Sequence, residues 1–467
     1  MKRVLATATL LTFVAALAAC TGEIEGDQGA IETPYALGNA SLRIAIVGAG
    51  PSGLTAAHEL QARGYQNITV FEKEDHVGGK VSSLKIGTLS AELGAVFASP
   101  DYTLTLALAN EYGIPYITYE KPRFILDEAG NKKTFQEFLL SRYSVPEIQA
   151  AVVAYAGVLQ QFPQIFQDGL ANLPPDLYLN FDAFAAKYHF VPVAELAKSL
   201  IVGFGYGYYE NVPAAYLMKI MNMLVKVGPN GLTSPPYFVF PGGFQSLWQA
   251  VASELDVHLN ANVTSIKRSN GNGPIKLTVN YFEEHEYDAV IVSAPLSAVP
   301  SFVTLSAAEK ALFRKVETTR YFVTMFASPG LTGGEAVFIH GNAVPSRINH
   351  AAVWANPGGD LPVFIAYQIC DKFLPAAAIS AILAYDILTL GHAVFAGPLV
   401  RKEWDYFPRV NSAALASHFY EDVEALQGNK GLYYVGGTLS FETVETSARY
   451  ARSLVDARFP ATAIVAP

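Results

Sequence analysis

Cysteine, tryptophan, methionine and charge are all scarce in this 467-residue sequence, which has two cysteines, three tryptophans, five methionines and 16% charged residues. Cys20 and Cys370 allow at most one disulfide, so stability has to come from a packed core. Cys370 sits in the apolar run VFIAYQIC and reads as a small buried hydrophobe, not a nucleophile. The nine histidines show no His-x-x-x-His or Cys/His metal spacing, and His340 and His350 read as ordinary loop residues, so no metal is expected. No Ser-His-Asp or Cys-His arrangement can be assembled either. A net charge of -9 with no basic stripe argues against nucleic acid as a partner, because the polyanion would be repelled. Hydrophobic residues make up 51% of the chain, which excludes disorder and leaves large apolar surfaces to be covered or used.

What the chain does have is concentrated first in Leu42 to Lys80, LRIAIVGAGPSGLTAAHELQARGYQNITVFEKEDHVGGK. The run Leu42 to Val47 has the length and Ile/Val content of a buried parallel strand, and Gly48, Gly50 and Gly53 follow it in G-x-G-x-x-G spacing. Gly48 permits the tight turn. Gly50, with Pro51 and Ser52 beside it, lets the backbone approach a pyrophosphate, and Gly53 lets the helix that starts there pack closely on the strand. The N–H groups of that helix would point at the phosphates. A second strand, Ile68 to Phe71, ends on Glu72, nineteen residues after Gly53, where a carboxylate would accept hydrogen bonds from a ribose diol with Lys73 alongside. A lone G-x-G-x-x-G is weak evidence, but the strand, turn, helix, strand and acid together indicate an adenine dinucleotide.

The continuation EKEDHVGGK, with Gly78, Gly79 and Lys80 close behind Glu72, and the later SAELGAVF around Glu92, Gly94 and Ala95, resemble the flavin-containing amine oxidase superfamily. The resemblance implies FAD, bound noncovalently, with the Gly79 turn against the cofactor and Lys80 where most members carry Arg. A second signature lies in PGGFQSLWQAVASEL, VHLN, NVTSIKRSNGN and YDAVIVSAPLSAV, where relatives place the strand near Val263 beside the adenine. Val257, Leu259 and Val263 also alternate as any half-buried strand would. The third signature, GLYYVGGTLSFETVETSARYARSLV, implies that Gly436, Gly437 and the backbone near Ser440 lie against the isoalloxazine side. Relatives usually carry an acid where this chain has Gly437, so one hydrogen bond to FAD is missing or replaced.

The N-terminus begins Met1-Lys2-Arg3, continues through an apolar stretch from Val4 to Ala19 and ends in Leu17-Ala18-Ala19-Cys20. It resembles the signal of bacterial lipoproteins, which implies lipidation of Cys20, export to the cell envelope and anchoring to a membrane. With Cys20 lipidated, no intramolecular disulfide remains. The alternatives are a plain signal peptide or an N-terminal anchor helix. Thr21 to Ser41 reads as a flexible tether.

In the remaining segments the amine oxidase pattern fades. GFGYGYYENVPAAYLMKIMNM at 203–223 and EWDYFPRVNSAALASHFYEDVEALQG at 403–428 resemble bacterial polyunsaturated fatty acid double-bond isomerases of the same superfamily. That resemblance implies redox-neutral chemistry. Hydride leaves the carbon between two cis double bonds for flavin N5 and returns to a different carbon, while aromatic faces surround the cation. Phe204, Tyr206, Tyr208 and Tyr209 are composed for such a surround, and ordinary core packing is their alternative reading. A fatty acid carboxylate would need a cation, for which YEKPRFIL offers Lys121 and Arg123 with Phe124, or merely a solvated basic turn. The segment 376–395 reads as a buried helix because Asp386 interrupts it, and 150–159 reads as part of a helical cap.

The expected architecture is α/β: a Rossmann-like FAD-binding domain from 42–120, 235–299 and 398–467, interleaved with a mixed α/β substrate domain from 121–234 and 300–397, after a signal at 1–19 and a tether at 20–41. The expected activity is isomerisation of a lipophilic, unsaturated, fatty-acid-like molecule. An amine, amino-acid or secondary-metabolite oxidase or dehydrogenase is the alternative, and a noncatalytic lipid or flavin carrier is a third reading.

Overall fold

The computed structural model describes residues 39–87, 89–228, 231–269, 273–358 and 361–462. Cys20, the signal stretch and all but the last residues of the tether lie outside the described residues.

Strand Arg43–Val47 is central in a five-stranded parallel sheet whose order is Val257–His258, Asn67–Phe71, Arg43–Val47, Ala289–Val292, Leu432–Tyr434. Ile44, Ala45 and Ile46 are fully buried, as are Val290, Ile291 and Val292, which is why these strands read as continuous apolar runs without alternation. Val47 pairs with both Phe71 and Val292, so the three strands end level and their carboxyl ends open on one edge. In an open parallel sheet that edge is where a ligand crevice forms. The helix after Arg43–Val47 runs Pro51–Ala62, two residues earlier than the glycine spacing suggested, because proline at its first turn presets the backbone angle and lacks only an N–H that would be unpaired anyway. Helix Val444–Arg458 packs against it and closes the far side of the crevice.

The stretch from Val257 to Val263 read as one alternating strand is two. Val257–His258 extends the parallel sheet, while Val263–Lys267 opens an antiparallel meander with Ile275–Val279 and Glu283–Tyr287. Between them Asn260 adopts a positive φ of 54°, which asparagine tolerates, and the exposed Leu259 faces away from the core.

A second sheet has seven strands in the order Pro398–Arg409, Glu317–Ala327, Val363–Cys370, Ala351–Ala355, Ala336–Ile339, Arg123–Leu126, Lys132–Lys133. Sequence position groups Pro398–Arg409 with the C-terminal cofactor segment. The structure pairs it along the length of Glu317–Ala327 as the edge of this second sheet, and so carries Trp404 and Tyr406 to the boundary between the sheets. Cys370 closes a strand here, buried, and burial pushes its thiol up to about 12, which leaves it an inert hydrophobe.

Helices cover both faces of the second sheet: Val191–Gly203, with Val145–Gln161 packed on it, lies on the face of Phe338 and Val353, and Ala376–Thr389 on the opposite face with Val337 and Trp354. Val145–Gln161 starts from a capping box between Ser144 and Glu147 and buries Ala151, Tyr155 and Val158, spaced as one helical face requires. Helix Ala376–Thr389 buries Ile379, Leu383, Asp386 and Ile387 on one side while Tyr385 and Leu388 on the other are exposed, so it is half-buried and not enclosed. Its Asp386 accepts a hydrogen bond from the Ala351 N–H at 2.7 Å and stands 2.7 Å from His350 Nδ1. His350 is therefore part of an internal network, not an ordinary loop residue. Among the described residues no helix is long and apolar enough to cross a membrane.

Candidate functional site

A cavity of about 880 Å³ opens at the level carboxyl ends of Arg43–Val47, Asn67–Phe71 and Ala289–Val292. Gly48, Gly50, Pro51, Ser52, Glu72, Lys73 and Gly79 line one end. Gly53 does not line it but shapes it: a Cβ there would lie 2.0 Å from the Gly48 carbonyl oxygen, so only glycine lets the helix approach the turn this closely. Glu72 is buried, and its carboxylate accepts the Ala49 N–H at 2.8 Å and the Glu74 N–H at 2.9 Å. One backbone donor per oxygen fixes the group and leaves each oxygen a lone pair for a ligand hydroxyl. Lys73 is mostly solvated, with its ammonium 3.5 Å from Glu74.

Gly94, Ala95, Val263, Gly436 and Gly437 also line the cavity, together with the N-terminal residues Thr443, Val444 and Ser447 of the closing helix and its approach. Lys80 reaches this wall and pairs with Glu442. Ser440 does not reach the cavity. Its hydroxyl donates to the carbonyls of Gly436 at 3.3 Å and Phe441 at 3.0 Å, so it ties the turn behind the wall.

The other end is aromatic. Phe204 and Tyr206 line it as expected, but Tyr208 and Tyr209 do not. Gly205 and Gly207 take positive φ values of 84° and 80° and redirect the chain between them. Tyr209 then donates to the Ala194 carbonyl at 2.8 Å and packs on Phe181 at 4.5 Å inside the helical layer. The places left are filled from strands: Tyr321, Tyr367, Trp404 and Tyr406. Tyr321 stacks between Tyr406 at 5.1 Å and Tyr367 at 6.2 Å, and Tyr206 adjoins Tyr406 at 5.6 Å. The polar tips are engaged. Tyr406 donates to the Tyr206 hydroxyl at 3.2 Å, Tyr206 to the Glu442 carbonyl at 2.9 Å, Tyr321 to the Gly203 carbonyl at 2.5 Å, and the Trp404 indole N–H to the Leu93 carbonyl at 2.7 Å. Burial holds the Tyr206, Tyr321 and Tyr406 hydroxyls well above their ordinary range, so the box presents neutral ring faces and no phenolate base.

Of the three residues expected at a substrate carboxylate, only Arg123 borders a cavity. Lys121 donates to the Asn356 carbonyl at 2.9 Å, and Phe124 lies under the Lys132 ammonium, 4.9 Å from its ring centre. Alternation along strand Arg123–Leu126 separates Arg123 from Phe124. Arg123 lines a second groove of about 1400 Å³ between the helices Phe135–Leu140, Val145–Gln161 and Val191–Gly203 and the hairpin from Lys226 to Thr233. It is the one charged side chain among the described residues that line that groove. Its guanidinium sits 4.7 Å from the ring centre of Tyr237, which lines the first cavity, and Leu224 borders both.

A glycine-lined helix N-terminus, a fixed carboxylate for a ribose and flat aromatic faces at the far end fit an adenine dinucleotide with a large planar ring. Residues 51–328 match the sequence model of the flavin containing amine oxidoreductases. The chain belongs to this family. FAD is the cofactor that goes with this family, and the cavity that fits it is lined by Gly48, Gly50, Glu72, Gly79, Lys80 and Gly436. Among curated relatives, protein R656 of Acanthamoeba polyphaga mimivirus is 24% identical over 64% of this chain, and the match spans 66% of that protein, just under two thirds. The FAD-dependent oxidoreductase pigF of Monascus ruber is 22% identical over 84% of this chain and 86% of its own length. Among solved structures, the CLA-producing fatty acid isomerase from P. acnes superposes with a TM-score of 0.81 at 25% identity, covering 90% of this chain and 99% of that one.

Proposed function

We propose that this flavoenzyme isomerises double bonds of a polyunsaturated fatty acid. The observation that carries the reading is the adjacency of two cavities that share Leu224, one a box of tyrosine rings with neutral hydroxyls and the other an apolar groove whose one charged side chain among the described lining residues is Arg123. The likeness to the P. acnes isomerase along nearly its whole length supports the same reading.

On this reading the Arg123 guanidinium pairs with the fatty acid carboxylate, a charge-assisted and potentially bidentate contact. The groove helices cover the alkyl chain, which passes Leu224 and Tyr237 and brings its diene against the rings of Tyr321 and Tyr406. FAD bound in the cavity supplies hydride acceptance and return. The protein's part is to orient the pentadiene, exclude water, and set ring faces against the positive charge that develops when hydride leaves the carbon between the double bonds. No side chain has to move a proton, which agrees with Tyr206, Tyr321 and Tyr406 hydroxyls that are tied and neutral.

The test is aerobic incubation with linoleate followed by analysis of product and peroxide. A conjugated isomer of unchanged mass without peroxide supports the reading. Stoichiometric peroxide with an oxidised product would replace it with an oxidase acting on the same or another lipophilic substrate. We also propose, from Leu17-Ala18-Ala19-Cys20, that the chain is exported and anchored through Cys20. Retention of lipid labelling in Cys20→Ser would refute that.

A further inference from the structure

The space that a side chain at Gly437 would take is already occupied. A Cβ on Gly437 would lie 3.0 Å from the Cβ and 3.1 Å from the Cγ of Glu442. The Glu442 side chain crosses over Gly437 into the cavity wall, where its carboxylate pairs with the Lys80 ammonium and accepts the Phe407 N–H.

This placement is enforced at some cost to the backbone. Phe441, immediately before Glu442, has φ 139° and ψ 148°, a region in which non-glycine residues are strained. The surroundings over-determine it. Its ring packs on Tyr206 at 4.8 Å and Phe407 at 5.5 Å, and its carbonyl accepts hydrogen bonds from Thr446 Oγ1 at 2.6 Å and Ser440 Oγ at 3.0 Å. A tied, strained turn that aims a carboxylate at a cation on a cavity wall is a device, and its position says for what. The Lys80 ammonium lies 5.5 Å from the ring centre of Tyr406, and Tyr206 donates to the Glu442 backbone. The pair is therefore at the aromatic end of the cavity, away from the Glu72 end.

We propose that Glu442 is the counter-charge to Lys80 beside the flavin ring, and that the pairing suppresses oxidation of the reduced cofactor by dioxygen. In that reaction two electrons and two protons pass from reduced flavin and solvent to O2, giving oxidised flavin and hydrogen peroxide. The first electron makes a superoxide anion, which an unpaired ammonium in a water-poor cavity stabilises strongly and a neutralised one does not. Burial pushes the Glu442 carboxyl up, while Lys80 and the Phe407 N–H favour its charged form, so the carboxylate is held by those two contacts. The inference rests on FAD occupying this cavity and is independent of the substrate's identity.

The experiment uses the FAD-loaded enzyme, photoreduced without substrate and mixed with oxygenated buffer in a stopped-flow spectrometer. Glu442→Gln and Glu442→Met, both of which leave Lys80 unpaired, are expected to reoxidise about tenfold faster or more, and adding Lys80→Met to either should return the rate to within about threefold of the native enzyme. Equal rates in native and single variants would overturn the proposal, as would a double variant as fast as the singles. Loss of FAD from both single variants would overturn it too, because the carboxylate would then be a group that holds the cofactor. Since no substrate is added, failure of the isomerase reading leaves each of these outcomes intact.

Discussion

Glu72 accepts the N–H groups of Ala49 and Glu74, so the strand end, the glycine turn and the ribose end of the cavity share one carboxylate. Glu72→Ala strands both donors and removes the ligand's acceptor. FAD titration of the apoprotein should show affinity reduced by about 10- to 100-fold, the value of one or two charge-assisted hydrogen bonds. Unchanged affinity would mean that the ribose lies elsewhere. Residues such as Gly48, Gly53 and Glu72 are legible in sequence because the motif is local: strand, turn and helix constrain one another within thirty residues. For Tyr209 the core-packing alternative is the one the structure shows. Its neighbourhood in sequence is aromatic, but two glycines at positive φ turn it into the helical layer. Glu442 carried no signal in the sequence, because its placement over Gly437 depends on a strained turn that no residue pattern announces.

The aromatic box belongs to the scale of elements. Tyr321 and Tyr367 sit on neighbouring strands, Tyr406 on the edge strand Pro398–Arg409, and antiparallel register alone brings their faces together. Alternation within each strand is readable from sequence; the register between strands this far apart in the chain is not. If the faces and not the hydroxyls act, Tyr321→Phe and Tyr406→Phe should change kcat with linoleate by less than about threefold, and the leucine variants should lower it about tenfold, one ring-cation contact each. Equal losses in phenylalanine and leucine variants would shift the role to the hydroxyls. Helix Ala307–Phe313 offers a test of stability. Glu309 closes its capping box with Ser306 and accepts two hydrogen bonds from Arg268, each at 2.7 Å. Burial opposes ionisation, but Arg268 and Ser306 more than offset it and hold the carboxyl at about 2, below its ordinary 4.5. A folded value below the unfolded one gives stability that is complete above pH 4.5 and lost as pH falls toward 2. Urea unfolding should find Glu309→Gln about 3 kcal/mol less stable at neutral pH, with the difference shrinking as the solution is acidified through that window.

At the scale of the whole molecule, two sheets meet along the cavity and a helical layer adds the groove. Arg123 stands where they join, stacked on Tyr237. Arg123→Leu should raise KM for linoleate by about tenfold or more while leaving KM for its methyl ester within about twofold, since only the acid uses the charge. A parallel rise for acid and ester would make Arg123 structural. The parallel sheet and the cofactor were legible from three short segments, whereas the adjacency of the cavities depends on how helices from 135–203 fold over a sheet that closes only at residue 409. The most direct test of redox-neutral chemistry follows the flavin band and conjugated-diene absorbance together after anaerobic mixing of the tether-free enzyme with linoleate. Continued diene growth with the flavin oxidised at steady state is the expected result. Bleaching of the flavin without diene formation would contradict it and identify a dehydrogenase or oxidase half-reaction.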